Sequence, residues 1–154
     1  MAIIGFNLKK ILVERKGLVR GEVKVNARMN ITDVKKQQVK ITSGKDVLSF
    51  DFDFAIFYKG VSDHVGNIAD IIFEGNVLYL VDPKESKKVL DEWKNKQIPQ
   101  ELKVRLLNTI LAKCNIKALV LEEDMGLPAH IPLPKFKVKA KKEEVKEKEK
   151  PKKK

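Results

Sequence analysis

The residues that could do acid–base or nucleophilic chemistry are few and lie apart in the sequence. Neither His64, in a Ser-Asp-His-Val stretch, nor His130, between prolines, has a partner at a catalytic spacing, so each is predicted to be a solvated loop histidine. Asp51 and Asp53 form a pair that could bind a cation, but strand alternation places both on a polar, solvated face. Cys114 falls in an apolar helical pattern without a neighbouring cation or histidine, which is typical of a core residue.

The glycines do not form a phosphate-binding loop. Neither G-x-x-x-x-G-K-[ST] nor G-x-G-x-x-G occurs, and the glycines are scattered in the manner of turn residues. We therefore expect no catalytic residues, no metal and no cofactor, and the sequence predicts that this protein is not an enzyme.

The first half of the chain has the pattern of strands. Residues 21–31 alternate between small or apolar and polar residues, and 48–58 carry large apolar residues at every second position, which predicts half-buried antiparallel strands. Residues 3–13 and 34–42 fit the same pattern less regularly, because Lys9 and Lys10 break the first alternation. In the apolar stretch 69–81, Glu74-Gly75-Asn76 is either a hairpin turn or a bulge in one long strand.

The second half has a helical period. Asp82 and Pro83 form a helix start, followed by a short apolar face, and Pro99 suits the first turn of a second helix. Apolar residues then repeat at alternating spacings of three and four, which predicts an amphipathic helix of about seven turns ending at Gly126. The predicted buried stripe comprises Val104, Leu107, Leu111, Cys114, Ala118, Leu121 and Met125, widened by Leu106, Ile110 and Leu119. The prolines at 128, 132 and 134 make the following apolar segment extended, and we expect it to lie along a groove.

These elements predict an α+β fold, with an antiparallel sheet of four to five strands followed by a short and a long C-terminal helix on one face. The sheet face away from the helices is expected to be partly apolar, because Phe57, Ile72, Leu78 and Leu80 point to it. A sheet that is apolar on both faces must pack against something else, so the pattern predicts a homo-oligomer, a dimer or a tetramer.

The net charge of +11 in 154 residues is unevenly distributed. Residues 137–154 hold ten Lys and four Glu, so this segment carries +6 and residues 1–136 carry only +5. The sequence predicts a folded domain over 1–136 and a disordered Lys/Glu-rich tail over 137–154. The tail is either a solubilising extension or a contact for RNA or the ribosome, with Lys152, Lys153 and Lys154 as candidate nucleic-acid contacts.

Several protein classes conflict with the sequence. It has no run of 18 apolar residues and no signal-peptide pattern, so we expect no membrane insertion and a cytoplasmic location. The single cysteine excludes internal disulfides and agrees with a reducing compartment. Acidic residues beside the Phe-rich strand disfavour a sheet that binds RNA.

The order of elements resembles the SecB-like chaperone family over residues 48–136. The stretch 69–80, with its central Glu-Gly-Asn, is similar to the family's kinked long strand, and 126–136 is similar to its Pro-rich segment after the long helix. The resemblance implies an ATP-independent holdase that binds non-native or nascent polypeptides in apolar grooves, with protein export as one role. Export chaperones of the family are acidic, and the basic charge of this chain favours general proteostasis or a ribosome tether.

The candidate peptide-binding residues are the apolar residues that are least expected to be buried in the core beneath the helices. They are Phe57, Leu80, Leu127, Ile131, Leu133 and Phe136.

Overall fold

The computed structural model describes residues 2–39, 43–61 and 66–138. His64, Lys152, Lys153 and Lys154 lie outside the described residues, as does most of the predicted tail.

Four long antiparallel strands form a single sheet in the order β1-β4-β3-β2. The strands are β1 (Ala2–Arg15), β2 (Val23–Gln37), β3 (Asp46–Gly60) and β4 (Asn67–Val81). The stretches 21–31 and 34–42, which the sequence suggests as separate strands, contribute to one strand, β2, with a register shift between Ile31 and Asp33. The strand alternation therefore predicts the sheet correctly but divides β2 too early.

The stretch Glu74-Gly75-Asn76 is neither a turn nor a bulge in its own strand, because β4 is continuous through it. The irregularity lies opposite, in β1, where the pairing shifts between Leu8 and Lys10. A Cβ on Gly75 would lie only 2.1 Å from the backbone oxygen of Asn7. Glycine is therefore required here, since it lets β1 approach β4 closely at its bulge.

Two helices follow the sheet, as the sequence predicts. Helix α1 (Pro83–Trp93) begins after Asp82, with Pro83 in its first turn. Helix α2 (Gln100–Met125) has 26 residues and ends at Gly126, whose φ of 64° is the left-handed conformation that glycine favours. Arg15 of β1 donates from its guanidinium to the carbonyl of Met125 at 2.8 Å, which ties the end of α2 to the sheet.

The core lies between the helices and one face of the sheet. On this face β3 and β4 contribute aromatic and aliphatic side chains that are at most 2% exposed, namely Phe50, Phe52, Phe54, Ile56, Tyr58, Ile71, Phe73 and Val77. Phe54 of β3 stacks on Phe73 of β4 with 5.8 Å between ring centroids. Burial of apolar side chains of this size is the main stabilising term in such a layer.

The predicted buried stripe of α2 is correct at Cys114 and Ala118 and wrong in its first half. The helix buries a row spaced by four residues, comprising Leu106, Ile110, Cys114, Ala118 and Glu122. Val104 and Leu111, which the stripe includes, are exposed. Because α2 carries apolar residues all round, its periodicity fits more than one buried face, and contacts with the sheet decide between them.

Candidate functional site: a groove between α2 and β2

An apolar groove runs between α2 and the edge strand β2, and its part near the start of α2 is open. Five half-buried side chains line this open half: Met29 and Ile31 of β2, Trp93 of α1, Ile98 of the α1–α2 connection and Leu107 of α2. The cavity has a volume of about 600 Å³. A cleft of this size that combines apolar side chains with a few polar groups is the usual form of a binding site, and here the polar part of the lining is the larger one.

The rim of the open half is polar and carries charges of both signs. Glu92, Lys96 and Lys103 surround the apolar lining together with amide and hydroxyl side chains. The Lys96 ammonium lies over the Trp93 ring, 4.6 Å from its centroid, so the indole is held by a cation–π contact. The rim therefore leaves water access while the floor offers aliphatic and aromatic surface.

The other half of the groove is closed by the chain itself. Leu127 is buried after the end of α2, and the His130 side chain is only 3% exposed. The His130 ring packs edge-on against Phe54, and Phe54 pairs across the sheet with Met29, which lines the open half. The two halves therefore lie next to each other on the same side of α2.

A buried polar network holds the closed half. The Tyr58 hydroxyl donates to Glu122 Oε1 at 2.7 Å, and the backbone N–H of His130 donates to Glu122 Oε2 at 3.3 Å. His130 Nδ1 lies 2.5 Å from Glu122 Oε1, and its Nε2 lies 2.8 Å from Asn115 Oδ1. Each ring nitrogen of His130 therefore has a polar partner, the Glu122 carboxylate on one side and the Asn115 side-chain amide on the other.

Tyr58 does not ionise readily in this network. Burial, followed by the hydrogen bond to Glu122 and the charge of that carboxylate, raises the pKa of Tyr58 well above its ordinary value. None of the three cavities described in this section is lined by Tyr58, Glu122 or His130. The network therefore has a structural role, because it fixes the segment after α2 to the core.

The sequence prediction of a solvated His130 is wrong. Its partners Glu122 and Asn115 lie on α2, 8 and 15 residues before it, at separations that match no catalytic motif. One signal was available in the sequence: Glu122 is the only charged residue of the buried row of α2. A buried carboxylate needs partners, and that requirement points to the polar groups that follow the helix.

Cys114 and Asp51 lie on the faces that the sequence predicts, whereas the prediction of a solvated Asp53 is wrong, since its Oδ1 is buried without a hydrogen-bond partner among the described residues. Cys114 is buried in the α2 row, and burial raises its pKa to about 12. Asp51 lies on the face away from the helices, where Lys9 and Lys35 approach its carboxylate at 3.7 and 3.6 Å. Within the described ranges, no group of three or more His, Cys, Asp or Glu could hold a metal ion.

The six predicted peptide-binding residues lie in separate regions. Phe57 and Leu80 are on the sheet face away from the helices, and Arg28 covers the Phe57 ring at 5.3 Å. Phe57 pairs with Asp70 and Leu80 with Val47, so about ten residues of strand, roughly 33 Å, separate the two. Leu127 is buried, Ile131 is half-buried, and Leu133 and Phe136 are 51% and 109% exposed.

Two further cavities lie elsewhere on the described part of the chain, and the lining of the larger one is more apolar than that of the open half. One of about 490 Å³ lies on the other side of α2, between Tyr79, Leu102 and Arg105, and also contains Glu85, Lys88 and Glu101. A smaller one, of about 280 Å³, lies beside the β1 bulge and is lined by Lys9, Asp51, Asp53 and Glu74 among others. Both have more charged side chains in their lining than the open half of the groove.

Comparisons with known proteins give a structural match. No family model matches the sequence, and no curated protein matches it. The fold is similar to that of the Rv1957 SecB-like chaperone of Mycobacterium tuberculosis, solved in complex with a ChAD peptide from the Rv1956 HigA1 antitoxin. The match covers 89% of this chain and 91% of that one, with a TM-score of 0.57 and 11% sequence identity.

This likeness shows that the chain has a SecB-like fold. The sheet, the short helix and the long C-terminal helix correspond to the architecture that the sequence predicts. No helix within the described part of the chain combines the length and the apolar character needed to span a bilayer.

Proposed function

We propose that this protein is an ATP-independent chaperone, a holdase, which binds non-native polypeptides in the groove between α2 and β2. The observation that carries the proposal is the open half of the groove, where five apolar side chains are half-buried around about 600 Å³. Apolar burial is non-directional, so such a surface accepts many sequences. The SecB-like fold supports the proposal, since the matched chaperone was solved with a peptide.

The position of β2 adds a second contribution to binding. β2 is an edge strand of the described sheet, so one side of its backbone faces away from β3. An extended polypeptide can pair with such an edge through main-chain hydrogen bonds while its side chains enter an adjacent pocket. The proposed client is therefore an unfolded segment with apolar side chains at alternate positions.

The proposal is tested with the full chain and a chemically denatured client. We expect stoichiometric amounts to slow client aggregation without ATP, and the single tryptophan, Trp93, to change its fluorescence as an apolar peptide binds. Leu107→Asp should weaken peptide binding roughly tenfold or more, because a charge replaces apolar contact area. Leu18→Asp is the matched control, since Leu18 is exposed and lies outside the groove lining. Unchanged aggregation in the presence of the full chain would contradict the proposal.

The outer face of α2 supports the predicted homo-oligomer. Opposite the buried row lies a row without charged residues, comprising Val104, Asn108, Ala112, Ile116 and Val120, of which the three β-branched residues are exposed. Two copies of α2 packed antiparallel about Ala112 would place Val104 opposite Val120 and Asn108 opposite Ile116. The small side chain at the centre permits close approach, so a second copy is the proposed partner of this row.

The oligomer is tested by sedimentation of the full chain. Ile116→Asp should shift the protein to a smaller species, because the substitution buries a charge in the proposed interface. Leu18→Asp serves again as the control, as it adds the same charge at an exposed site elsewhere. A monomeric full chain at micromolar concentration would contradict the oligomer.

The RNA- or ribosome-binding alternative is favoured by a basic row on α2. Arg105, Lys113 and Lys117 are exposed on one flank of the helix, and residues 137–154 add a net charge of +6 in the sequence. Binding of this kind would weaken steeply with salt, since it releases counterions from phosphates. A truncation after Phe136 that leaves RNA affinity unchanged would contradict a role of the tail.

A further inference from the structure

The segment after α2 places an apolar or buried side chain at every third position. Leu127 is 7% exposed and the His130 side chain is 3% exposed, whereas Leu133 and Phe136 are 51% and 109% exposed. Prolines at 128, 132 and 134 favour the polyproline II conformation, which has three residues per turn. The segment bends at His130 and Ile131, and after this bend Leu133 and Phe136 lie on one side of the segment when it takes that conformation, both uncovered.

The segment runs towards the open half of the groove. The carbonyl of Pro128 lies 3.1 Å from the Tyr58 hydroxyl, and two residues later the His130 ring contacts Phe54 and Asn115. The chain has thus turned back along α2, from the Tyr58 end of β3 towards its start. Met29 pairs with Phe54 and lies beside it, and Ile31, which pairs with Phe52, lies further in this direction; both line the open half.

The length of the exposed segment matches the distance it would cover. Both distances are measured from Asn115 along the axis of α2. Leu107, eight residues earlier, lies about 12 Å from it, and Lys103 lies about 18 Å from it. From His130, a polyproline II chain reaches about 9 Å at Leu133 and about 19 Å at Phe136. The two exposed side chains can therefore span the open half from the Asn115 end to the Lys103 end.

We propose that residues 132–136 form a strap that closes over the open half within the same chain, with Leu133 and Phe136 against Met29, Ile31 and Leu107. This inference rests on the proposed function, since the strap occupies the site of the client and competes with it. The prolines keep the ordering entropy of closure small, because the segment is stiff before it docks. The structure has the strap in an open arrangement, with Leu133 and Phe136 exposed; in the closed arrangement the strap covers the groove, and a client must displace it.

The binding test uses the full chain with Leu133 and Phe136 both replaced by Asp. We expect the apolar peptide to bind roughly three- to tenfold more tightly, because the competing closed state is lost. The control is Leu18→Asp with Val61→Asp, which adds the same charges at exposed positions elsewhere. Unchanged affinity in the strap variant, with affinity still lowered by Leu107→Asp, would overturn the strap and leave the proposed function standing.

A cross-linking test does not depend on a client. In a full chain with Cys114→Ala, which removes the only cysteine, Leu133→Cys and Ile31→Cys should form a disulfide within one chain under mild oxidation. The control pair, Leu133→Cys with Ile4→Cys, places the second thiol on β1, at the opposite edge of the sheet. Absence of a disulfide in the first pair, or a disulfide only between two chains, would overturn the strap.

Discussion

The two halves of the groove beside α2 are made of different chemistry. The closed half contains a buried carboxylate, an imidazole and a hydroxyl, each with a defined partner, whereas the open half is lined by five apolar side chains. Buried polar groups are costly without partners, so the closed half accepts only the segment that satisfies them. The open half does not require a specific polar partner, so it is suited to binding polypeptides of varied sequence.

The largest expected effect is at the centre of the closed half. Glu122→Ala should lower the free energy of unfolding by about 3 kcal/mol, because it removes the buried carboxylate that both Tyr58 and His130 contact and leaves them only Pro128 and Asn115 as partners among the described residues. Urea denaturation measures the change. The neighbouring Glu123→Ala should change it by less than about 0.5 kcal/mol, since Glu123 is exposed. A loss for Glu122→Ala as small as that of the control would show that the network does not hold the segment.

A second prediction compares the same residue type in the two halves. Leu127→Ala should cost about 2–3 kcal/mol in the free energy of unfolding, because it leaves a cavity in the core. Leu133→Ala, six residues later, should cost less than about 0.5 kcal/mol, since its side chain is half exposed. Thermal or urea unfolding of both variants checks the contrast, and equal losses would mean that the two halves are packed alike.

The smallest expected effect is a dependence of the free energy of unfolding on pH, which comes from Cys114 in the buried row of α2. Burial raises the pKa of Cys114 from 9.0 to about 12, so above about pH 9 the unfolded chain loses the thiol proton while the folded chain keeps it. Its contribution to stability is full below about pH 9 and is lost as the pH rises towards 12. Between pH 9 and pH 10 this lowers the free energy of unfolding by about 1 kcal/mol relative to Cys114→Ala. Urea titrations of both proteins at the two pH values measure the difference, and parallel losses would contradict the burial of the thiol.

Local sequence signals were sufficient for most of the fold. Large apolar residues at every second position of 48–58 predicted β3, and Asp82-Pro83 and Gly126 marked the start of α1 and the end of α2. They were insufficient at Glu74-Gly75-Asn76, where two interpretations stayed open. The irregularity there belongs to the partner strand β1, and no pattern within one strand shows what its neighbour does.

The candidate site was less predictable than the fold. The apolar segment after α2 was identified from its prolines and its Leu, Ile and Phe residues, but Met29, Ile31, Trp93, Ile98 and Leu107 were not assigned to a groove. These residues come from two strand positions, a helix end, a connection and a second helix. Only the packing of α1 and α2 on the sheet brings them together.

The sequence by itself determined the order of four to five strands followed by two helices, the end of the long helix and the uneven charge, because these follow from local periodicity, turn residues and composition. The tertiary structure decided which face of α2 is buried and that Tyr58, Glu122 and His130 meet. The physical reason is that α2 is apolar all round, and Tyr58 and Glu122 are 64 residues apart. Their contact arises only when the helix docks on the sheet, where a buried carboxylate must find its partners.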